Sequence, residues 1–487
     1  MTTLAHSTKL VTADTLAVYA TKNEKGGWAT ELDGSLHDAV VDAITKLKFE
    51  PAIDAALTVP APAGSPFSAI VIVGLPDGSG IIDPLRYAAG TAARNGHGSL
   101  ALAFPTSSVS DASQVLEGAA LATVPAFTRK SGPKPKSASK ITVVSAHKAN
   151  VADITARVDA VKIVRDLVTE VPNVLSPAEL AKRVVSASRG TGLSVEVLDE
   201  KKLAAGKYGG ILGIGAGSSR PPRMVVVRYK PRGAKRHIAL VGKGITFDTG
   251  GLSIKPAASM VGMKYDMTGA ATVFAVIRAA AALKLPIEIT ARLCIAENMP
   301  SGTAIRPNDV VTIRGGKTVE VTNTDAEGRV VLADGLVASS EEKPDVIVDV
   351  ATLTGAARTA LGDRITGVMG DPSVAALLSI ASSKTGDEVW TMPLPNYLRP
   401  VLASDVADIA NAKVGHTAAG MLIGGIFLRE FVGKRKDGSP IPWAHLDIAG
   451  PANNGSAAYG YTPKGATGTM VRTLIEFLSD VSNTPVK

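Results

Sequence analysis

VTNTDAEGRVVLADG, residues 321–335, places two carboxylates and a guanidinium within five consecutive positions. A β-rich segment at 317–322 precedes this charged group, and apolar residues recur after it with the spacing of a helix. Asp325, Glu327 and Arg329 are therefore expected on a turn between a strand and a helix. Two acids one residue apart can reach the same cation, and Arg329 near a helix N-terminus favours a small anion. A solvated acidic turn is the alternative that this stretch alone leaves open.

A second charged group follows the buried strand expected at 237–242, HIALVG. Its members come from VGKGITFDTGGLSIKP and MKYDMTGAA, and they are Lys243, Asp248, Lys255 and Asp266. A third strand, expected at 345–351, ends in the hydroxyl-rich turn TLTG at 352–355. Ligands of open α/β sheets bind beyond the carboxyl ends of the strands, so these groups are expected to share one crevice. An ordinary ion pair is the alternative reading for Lys243.

Carboxylates that share a crevice repel one another and raise each other's pKa unless cations compensate them. Two divalent ions bridged by shared carboxylates would provide that compensation and form a clamp for hydrolysis. No histidine lies in these segments, so the ligand set is suited to Mn²⁺ or Mg²⁺ as well as Zn²⁺. A lysine joins such a set only as the neutral amine, a form that a nearby dication favours.

The composition is that of a globular chain of two or three domains, with 487 residues, 45% hydrophobic and 20% charged. The longest uncharged run, 55–76, is interrupted by four prolines, so no membrane helix is expected. The first residues lack the pattern of a secretory signal. A single cysteine, Cys294, excludes an intramolecular disulfide. A cytoplasmic location is therefore expected.

Strand and helix patterns alternate along the chain, which predicts an α/β protein. The expected domains are a smaller N-terminal unit at 1–150, a linking helix at 151–175 and a larger C-terminal unit at 176–487. The glycines at 209–223 resemble a dinucleotide-binding turn, but Pro221 and Pro222 leave no room for a long helix after them. A tight connection is expected there, without a Rossmann cofactor.

The chain resembles the leucyl (cytosol) aminopeptidase family of dinuclear metallopeptidases. NTDAEGR, VGKGITFDTGG, MKYDMTGAA, TLTG and HLDIAG, the last at 445–450, carry this resemblance over most of residues 160–487. It implies a macro-like N-terminal α/β domain and a larger catalytic α/β domain with a mostly parallel central sheet. It also implies a homohexamer that removes N-terminal residues, preferably leucine and other apolar ones, from peptides by attack of a metal-bridging hydroxide.

The resemblance implies a role for each expected metal ligand. Lys243 and Asp266 would bind the tighter of two divalent ions, Mn²⁺ or Zn²⁺. Asp248 and Glu327 would bridge the two ions, and Asp325 would complete the more readily exchanged site through its carboxylate and its backbone carbonyl.

The resemblance also implies the residues that act on the substrate. Lys255 would polarise the scissile carbonyl, and Arg329 would hold a bicarbonate ion that serves as general base. Gly328 and Leu353 would help to bind the bicarbonate through their backbones. The pocket for the first side chain would be lined by Met263, Thr352 and Gly355.

Two other functions stay open at this point. The net charge of +8 and the basic residues Arg129, Lys130, Lys134, Lys136 and Lys140 are compatible with a DNA-binding regulator on the same fold. No aromatic residue interrupts that run, so a solvated loop is favoured and nucleic acid is an unlikely partner. A two-metal phosphoesterase is the third hypothesis, and the NTDAEGR context disfavours it.

Overall fold

The computed structural model describes residues 2–24, 26–76, 78–124, 127–132 and 138–483. The chain divides into two compact units, which are Met1–Lys162 with Asn454–Gly465, and Ile163–Asn453 with Ala466–Lys487. The short segment 454–465 thus belongs to unit 1, where the Tyr459 ring stacks on Tyr87 and the Gly460 N–H donates to Asp54. The bounds expected from the sequence, 1–150, 151–175 and 176–487, stay a prediction beside this division.

Unit 1 alternates short strands with helices. Its elements are β1 (Thr3–Ser7), β2 (Thr15–Tyr19), β3 (Thr21–Lys22), β4 (Trp28–Ala29), α1 (Gly34–Lys46), β5 (Ala56–Pro60), β6 (Ala69–Val73), α2 (Pro84–Asn95), β7 (Leu100–Ala103), α3 (Val109–Thr123) and β8 (Lys140–Val144). Helix α4 (Val151–Thr169) leads from unit 1 into unit 2. In the described residues, six strands form a sheet in the order β1-β8-β7-β2-β6-β5. Only the β5–β6 pair of that sheet is antiparallel.

Unit 2 contains the segments expected to hold the site. Its elements up to residue 341 are α5 (Pro177–Ser188), β9 (Ser194–Leu198), α6 (Glu200–Ala205), α7 (Gly209–Gly215), β10 (Arg223–Tyr229), β11 (His237–Asp248), α8 (Ala257–Met260), a 3₁₀ helix (Met263–Met267), α9 (Thr268–Ala282), β12 (Glu288–Asn298), β13 (Asp309–Thr312), β14 (Thr318–Val321) and α10 (Glu327–Glu341).

The rest of unit 2 continues the alternation of strands and helices. Its elements are β15 (Val346–Ala351), α11 (Gly355–Leu361), β16 (Thr366–Gly370), α12 (Pro372–Thr385), β17 (Val389–Thr391), a second 3₁₀ helix (Asn396–Leu402), β18 (Ile409–Ala410), α13 (Gly420–Arg429), β19 (Trp443–Asp447), β20 (Asn453–Asn454), β21 (Gly465–Ala466) and α14 (Val471–Asn483). Strands β20 and β21 pair where the chain passes between the two units.

The main sheet of unit 2 has a parallel centre. Its strand order over the described residues is β17-β16-β19-β15-β11-β12-β10-β9, and the pairs within β19-β15-β11-β12 are all parallel. These central strands are buried along almost their whole length, which explains their continuous apolar sequences. The predicted α/β class with a mostly parallel central sheet is confirmed. The macro-like character of unit 1 stays a prediction.

Strand β14, which precedes the NTDAEGR segment, does not belong to the main sheet. It lies in a separate sheet of the order β13-β14-β18 within the described residues. The sequence pattern predicts the strand correctly but not the sheet that it joins, because strand pairing depends on tertiary packing. The charged group of the NTDAEGR segment is therefore held by the β13-β14-β18 sheet, whereas the other two charged groups follow strands of the main sheet.

Several local features agree with the predictions from the sequence, and one differs. Ser176 caps α5 by accepting the Glu179 N–H, as the sequence predicts. Residues 209–215 form the short helix α7 and not merely a tight connection, and no long helix follows it before Pro221 and Pro222. Cys294 is buried in the core. Among the residues that the structure describes, no helix has the length and apolar character needed to cross a bilayer.

The basic run is described only in part. Lys134 and Lys136 lie outside the described residues. The Arg129 guanidinium lies 5.5 Å from the centre of the Phe127 ring, and Lys140 begins β8. The DNA-binding alternative therefore stays a hypothesis.

Candidate metal centre

Four elements of unit 2 deliver the predicted ligands to one place. Strand β11 supplies Lys243 from its interior and Asp248 as its last residue. The 3₁₀ helix that precedes α9 supplies Asp266. The turn after β14 supplies Asp325, and the first residue of α10 is Glu327. The expected convergence of separate chain segments is therefore present in the structure.

Lys243 lies at the centre of the deepest part of this group and is only 2% exposed. Its Nζ is 2.8 Å from Asp266 Oδ1 and 2.8 Å from Glu327 Oε1. It also donates to the Thr352 carbonyl at 2.9 Å. The Thr352 hydroxyl in turn donates to Asp266 Oδ1 at 2.7 Å. Lys243 on strand β11 and Thr352 in the turn after β15 thus bind the same carboxylate, that of Asp266.

The pKa values of this group follow from burial and from the charges around it. Burial lowers the pKa of Lys243, but the carboxylates of Asp266, Glu327 and Asp248 outweigh burial and raise the pKa overall. Burial raises the pKa of Asp266 well above its ordinary value, and burial likewise raises the pKa of Glu327. The positive charge of Lys243 therefore does not fully compensate these carboxylates, and additional cations would do so.

Two hydrogen-bond donors fix Asp248 through its Oδ1, and they leave its Oδ2 available on the crevice side. Its Oδ1 accepts the Gly250 N–H at 2.9 Å and the Asn298 amide at 2.8 Å. The same amide nitrogen of Asn298 donates to the Thr324 carbonyl at 3.0 Å, one residue before Asp325. Asn298 therefore ties the end of β11 to the turn after β14. Asn298 is the last residue of β12 and is not among the site residues that the sequence predicts.

Lys255 faces the second part of the carboxylate group. Its Nζ lies 2.9 Å from Asp248 Oδ2 and in direct contact with Asp325 Oδ1. Burial lowers the pKa of Lys255, and the charges of Asp248, Glu327 and Asp325 raise it overall. Burial and the Asp248 charge raise the pKa of Asp325. Lys255 therefore bears its charge beside the same oxygens that would ligate a cation.

The arrangement of the carboxylates fits a metal ion. Asp248, Asp325 and Glu327 each offer a carboxylate oxygen, and these three oxygens lie within 4.8 Å of one another. The second oxygens of Asp266 and Glu327 are buried and accept no hydrogen bond from the described residues. Buried oxygens without a donor are costly in a native protein, and divalent cations are their usual partners.

Arg329 is buried on the first turn of α10, close to the carboxylates but not bound to them. Its Nη1 donates to the Asn411 carbonyl at 2.8 Å, while its Nε has no partner among the described residues. Burial lowers the pKa of Arg329 to about 10, against the opposing charges of Glu327 and Asp447. The guanidinium remains charged at neutral pH, and its unused donor is suited to a small anion.

A cavity of about 230 Å³ adjoins both Asp325 and Arg329. Leu353 and Gly355 line it, as do Lys413 and His416, among others. As far as the structure describes the chain, Met263 and Thr352 are not among its lining residues, so their place in a substrate pocket stays a prediction.

The Leu353 N–H does not face a free position in this structure. It donates to Asp447 Oδ1 at 3.1 Å. Its expected role in bicarbonate binding therefore stays a prediction. Asp447 lies in the HLDIAG motif, but the sequence pattern predicts no role for it.

Two glycines allow the close approaches in this centre. Gly250 has a φ of +86°, and a Cβ there would lie 2.7 Å from Asp325 Oδ1. Gly328 lies in helix α10, where a Cβ would lie 2.6 Å from Lys243 Cε and 2.7 Å from its Nζ. Glycine at both positions lets backbone and ligands share a space that any side chain would fill.

Gly328→Ala is expected to weaken metal binding by about 10- to 100-fold, the range typical for disturbed support of a ligand. The new methyl group would displace the Lys243 amine, whose position is fixed by three acceptors. Titration of the metal-stripped variant with Mn²⁺ measures the effect. Gly335→Ala is the matched control, because its Cβ would meet the Cys294 sulfur at 2.5 Å in the core. Equal losses of metal affinity in both variants would contradict the prediction.

The chain is similar to known peptidases over most of its length. The catalytic-domain model of the cytosol aminopeptidase family matches residues 162–475. A probable cytosol aminopeptidase of Leifsonia xyli is 51% identical, with 96% of each chain covered. One from Clavibacter michiganensis is 49% identical, with 97% of each chain covered.

Solved structures agree with these relatives. The bottromycin maturation enzyme BotP in complex with Mn is 34% identical with a TM-score of 0.84, covering 97% of this chain and 100% of that chain. The cytosol aminopeptidase of Coxiella burnetii is 28% identical with a TM-score of 0.82, covering 98% of this chain and 99% of that chain. With a family match over most of the chain and curated relatives near half identity, the chain belongs to the cytosol aminopeptidase family and is a metal-dependent aminopeptidase.

Proposed function

We propose that this aminopeptidase binds two divalent ions and releases N-terminal leucine and other apolar residues from peptides. The observation that carries the proposal is the group of three carboxylates, Asp248, Asp325 and Glu327, whose ligand oxygens lie within 4.8 Å of one another. Lys243 and Asp266 extend this group on its buried side. A purely structural ion-pair network would not leave buried carboxylate oxygens without donors.

These five residues would hold the two ions. Lys243 and Asp266 would belong to the tighter site, Asp325 to the exchangeable one, and Asp248 and Glu327 to both. When bound, two such ions supply an activated water as nucleophile and positive charge for the carbonyl oxygen of the substrate. The oxygen-rich ligand set and the manganese complex of the related BotP favour Mn²⁺, and Zn²⁺ is the alternative ion.

Lys255 would act on the substrate carbonyl. Its ammonium lies between Asp248 and Asp325, at the edge of the ligand group and not in its buried centre. A fixed cation at that edge stabilises the negative charge that develops on the carbonyl oxygen during attack. Lys255 would thereby contribute mainly to the transition state.

Arg329 would hold a bicarbonate ion as general base. The guanidinium is a permanent donor and cannot itself accept a proton near neutral pH. Its Nε has no partner among the described residues, and this group and the adjoining cavity of about 230 Å³ offer a place for a small anion. An anion there could accept the proton that the nucleophilic water loses.

The chemistry explains why only the first residue would be removed. A free α-amine binds a metal ion as the neutral amine and is a cation when it is protonated. Both forms suit a crevice rich in carboxylates. The apolar Leu353, Ala356 and Ile423 on the cavity wall favour an apolar substrate side chain nearby. The homohexamer stays a prediction from the family resemblance, and the cytoplasmic location stays a prediction from the sequence.

Hydrolysis of leucine p-nitroanilide by chelator-stripped protein tests the proposal. Mn²⁺ and Zn²⁺ are added back in separate titrations. Activity is expected to return with metal and to disappear when the amine of the substrate is acetylated. Activity on the acetylated substrate would contradict the exopeptidase mechanism. Two bound metals without hydrolysis would turn attention to the phosphoesterase and DNA-binding hypotheses.

A further inference from the structure

Residues 411–419, here called the rim segment, connect β18 to helix α13 beside the cavity that adjoins Arg329. Two basic residues of this segment, Lys413 and His416, line the cavity, and both are exposed. Within the part of the chain that the structure describes, neither side chain forms a hydrogen bond or an ion pair. Their N–H donors are therefore available to a molecule that enters the cavity.

The first residues of the rim segment are bound to the NTDAEGR turn. Asn411 is 0% exposed, and its Oδ1 accepts the Thr322 N–H at 2.9 Å. Its side-chain amide donates to the Asn323 carbonyl at 2.7 Å. The Ala412 carbonyl accepts the Thr322 hydroxyl, also at 2.7 Å. Lys413 therefore directly follows two residues that are fixed to the segment carrying the metal ligands.

The rest of the rim segment contains a tight turn. The His416 N–H donates to the Lys413 carbonyl at 3.1 Å, and Gly415 between them has a φ of +78°. Ala419, the last residue of the segment, has a φ of +55°, a left-handed conformation that is unfavourable for a residue with a Cβ. The turn and the bonded first residues together keep Lys413 and His416 at the cavity.

Helix α13 begins at the same cavity, which its residues Gly420 and Ile423 help to line. No side chain caps the N-terminus of this helix. The first N–H groups of a helix have no partner within the helix, and with the helix dipole they attract anions. The buried Arg329 also lines the cavity, and its Nε has no partner among the described residues. Four sources of positive potential therefore border one cavity.

The cavity is larger than one small anion requires. Its volume is about 230 Å³, whereas a water molecule occupies about 30 Å³ of the liquid. A bicarbonate ion on Arg329 would therefore leave most of the cavity open. Asp325 is the only acid among the described lining residues, and it would ligate a metal ion. The remaining space is thus suited to a second anionic group.

The position of the cavity indicates which part of a substrate would reach it. A peptide whose α-amine binds the metal ions has its second residue within about 7 Å, because each extended residue spans about 3.6 Å. The cavity begins at Asp325, a ligand of the exchangeable site. Its described lining does not include Met263 or Thr352, which are expected to contact the first side chain. The second residue, which leaves with the new amine, is therefore the part that would face the rim segment.

We propose that the rim segment and the N-terminus of α13 recognise a carboxylate on the second residue of the substrate, which makes dipeptides and peptides with an acidic second residue preferred substrates. The inference rests on the proposed metal site and specifies the leaving side of the same reaction. The carboxylate is either the C-terminus of a dipeptide or an acidic side chain. Lys413 provides the charge that pairs with it, and His416 provides a further donor.

Hydrolysis of leucylglycine and of leucylglycinamide by the metal-loaded enzyme tests the inference. The wild type is expected to prefer the free acid over the amide by about tenfold in kcat/KM, mainly through KM, since exposed charge pairs contribute up to about fivefold each. In the double variant Lys413→Ala, His416→Ala the preference is expected to fall to about twofold. Every enzyme meets the same two substrates, so the different leaving groups do not affect the comparison between enzymes.

Two control variants separate the charge of Lys413 from other effects of substitution. Lys413→Arg keeps a cation at the cavity and is expected to retain most of the preference for the acid. Lys201→Ala removes an exposed lysine of helix α6, which does not line the cavity, and is expected to leave the preference unchanged. An equal loss of preference in Lys201→Ala and in the double variant would overturn the inference.

A second pair of substrates identifies the source of the carboxylate. The α-amides of leucylaspartate and leucylasparagine differ only in the charge of the second side chain. A preference confined to leucylglycine over its amide would assign the site to a C-terminal carboxylate. A preference confined to the aspartyl compound would assign it to an acidic side chain. Either result supports recognition of a carboxylate by the rim segment.

Binding without turnover completes the test. Isothermal titration compares a leucylglycine analogue whose peptide bond is reduced to a methylene-amine with the C-terminal amide of that analogue. Equal acid-to-amide ratios in the wild type and the double variant, in hydrolysis and in binding, would overturn the inference. Metal-dependent hydrolysis of leucine p-nitroanilide in the same wild-type preparation would leave the proposed function standing. Loss of the binding preference in the double variant, in a protein that hydrolyses none of the substrates, would support the rim segment as a carboxylate site and overturn the proposed function.

Discussion

Glu327→Gln is expected to lose bound metal and to lower kcat/KM by on the order of 1000-fold. The carboxylate would bridge both ions, and a neutral amide of the same shape binds divalent cations poorly. Loss of the several kcal/mol that metal ions supply to the transition state corresponds to a rate loss of this size. Because Lys243 keeps Asp266 and the Thr352 carbonyl as partners, the fold should survive the substitution.

Metal content per chain, measured by mass spectrometry of the purified variant, decides this prediction together with kcat/KM. Glu341→Gln is the control at the opposite end of the same helix, where the side chain forms a half-exposed ion pair with Arg314. The control is expected to keep its metal and its activity. Two tightly bound ions per chain in Glu327→Gln would exclude Glu327 as a bridging ligand.

Lys255→Ala is expected to lower kcat by about 100- to 1000-fold, as the loss of a single oxyanion donor does. Its metal content should not fall, because Lys255 competes with cations for the oxygens of Asp248 and Asp325. Arg329→Ala should behave in the same direction, since it removes the site of the general base and touches no metal ligand directly. Both variants therefore separate catalysis from metal binding.

The measurement compares kcat at saturating Mn²⁺ with the number of bound ions and with the metal dissociation constants. Lys264→Ala is the matched control, since its amine donates to the Thr169 carbonyl and to none of the ligands. A parallel loss of metal and activity in Lys255→Ala or Arg329→Ala would contradict the proposed catalytic roles. These residues would then be structural supports of the metal site.

The sequence was sufficient to predict the residues that meet in the centre. The acids and lysines follow strands whose apolar runs are unmistakable, and the carboxyl ends of parallel strands share an edge. That reasoning placed Lys243, Asp248 and the TLTG turn together, as the structure does. It also predicted the helix that begins at Glu327, because the apolar spacing after the acids is helical.

The supporting residues could not be predicted in the same way. Asn298 and Asp447 act through hydrogen bonds to backbone and amide groups, and such contacts have no spacing that a linear pattern reveals. The membership of β14 in a separate sheet was likewise hidden, because strand pairing depends on tertiary packing. Asn298 could have been predicted, since a polar residue at the end of a buried strand is a visible sequence signal.

The contacts of Lys243 join residues that are far apart in the chain. The Thr352 carbonyl that accepts its hydrogen bond is 109 positions away, and the hydrogen bond from Thr322 to Ala412 near Asp325 spans 90 positions. The full ligand set therefore forms only when the main sheet has assembled, and metal is expected to bind the folded chain selectively. At a free metal concentration 100 times the dissociation constant, such selective binding stabilises the folded state by about 2.7 kcal/mol. Bound metal is therefore expected to slow proteolysis of the chain as well as to support catalysis.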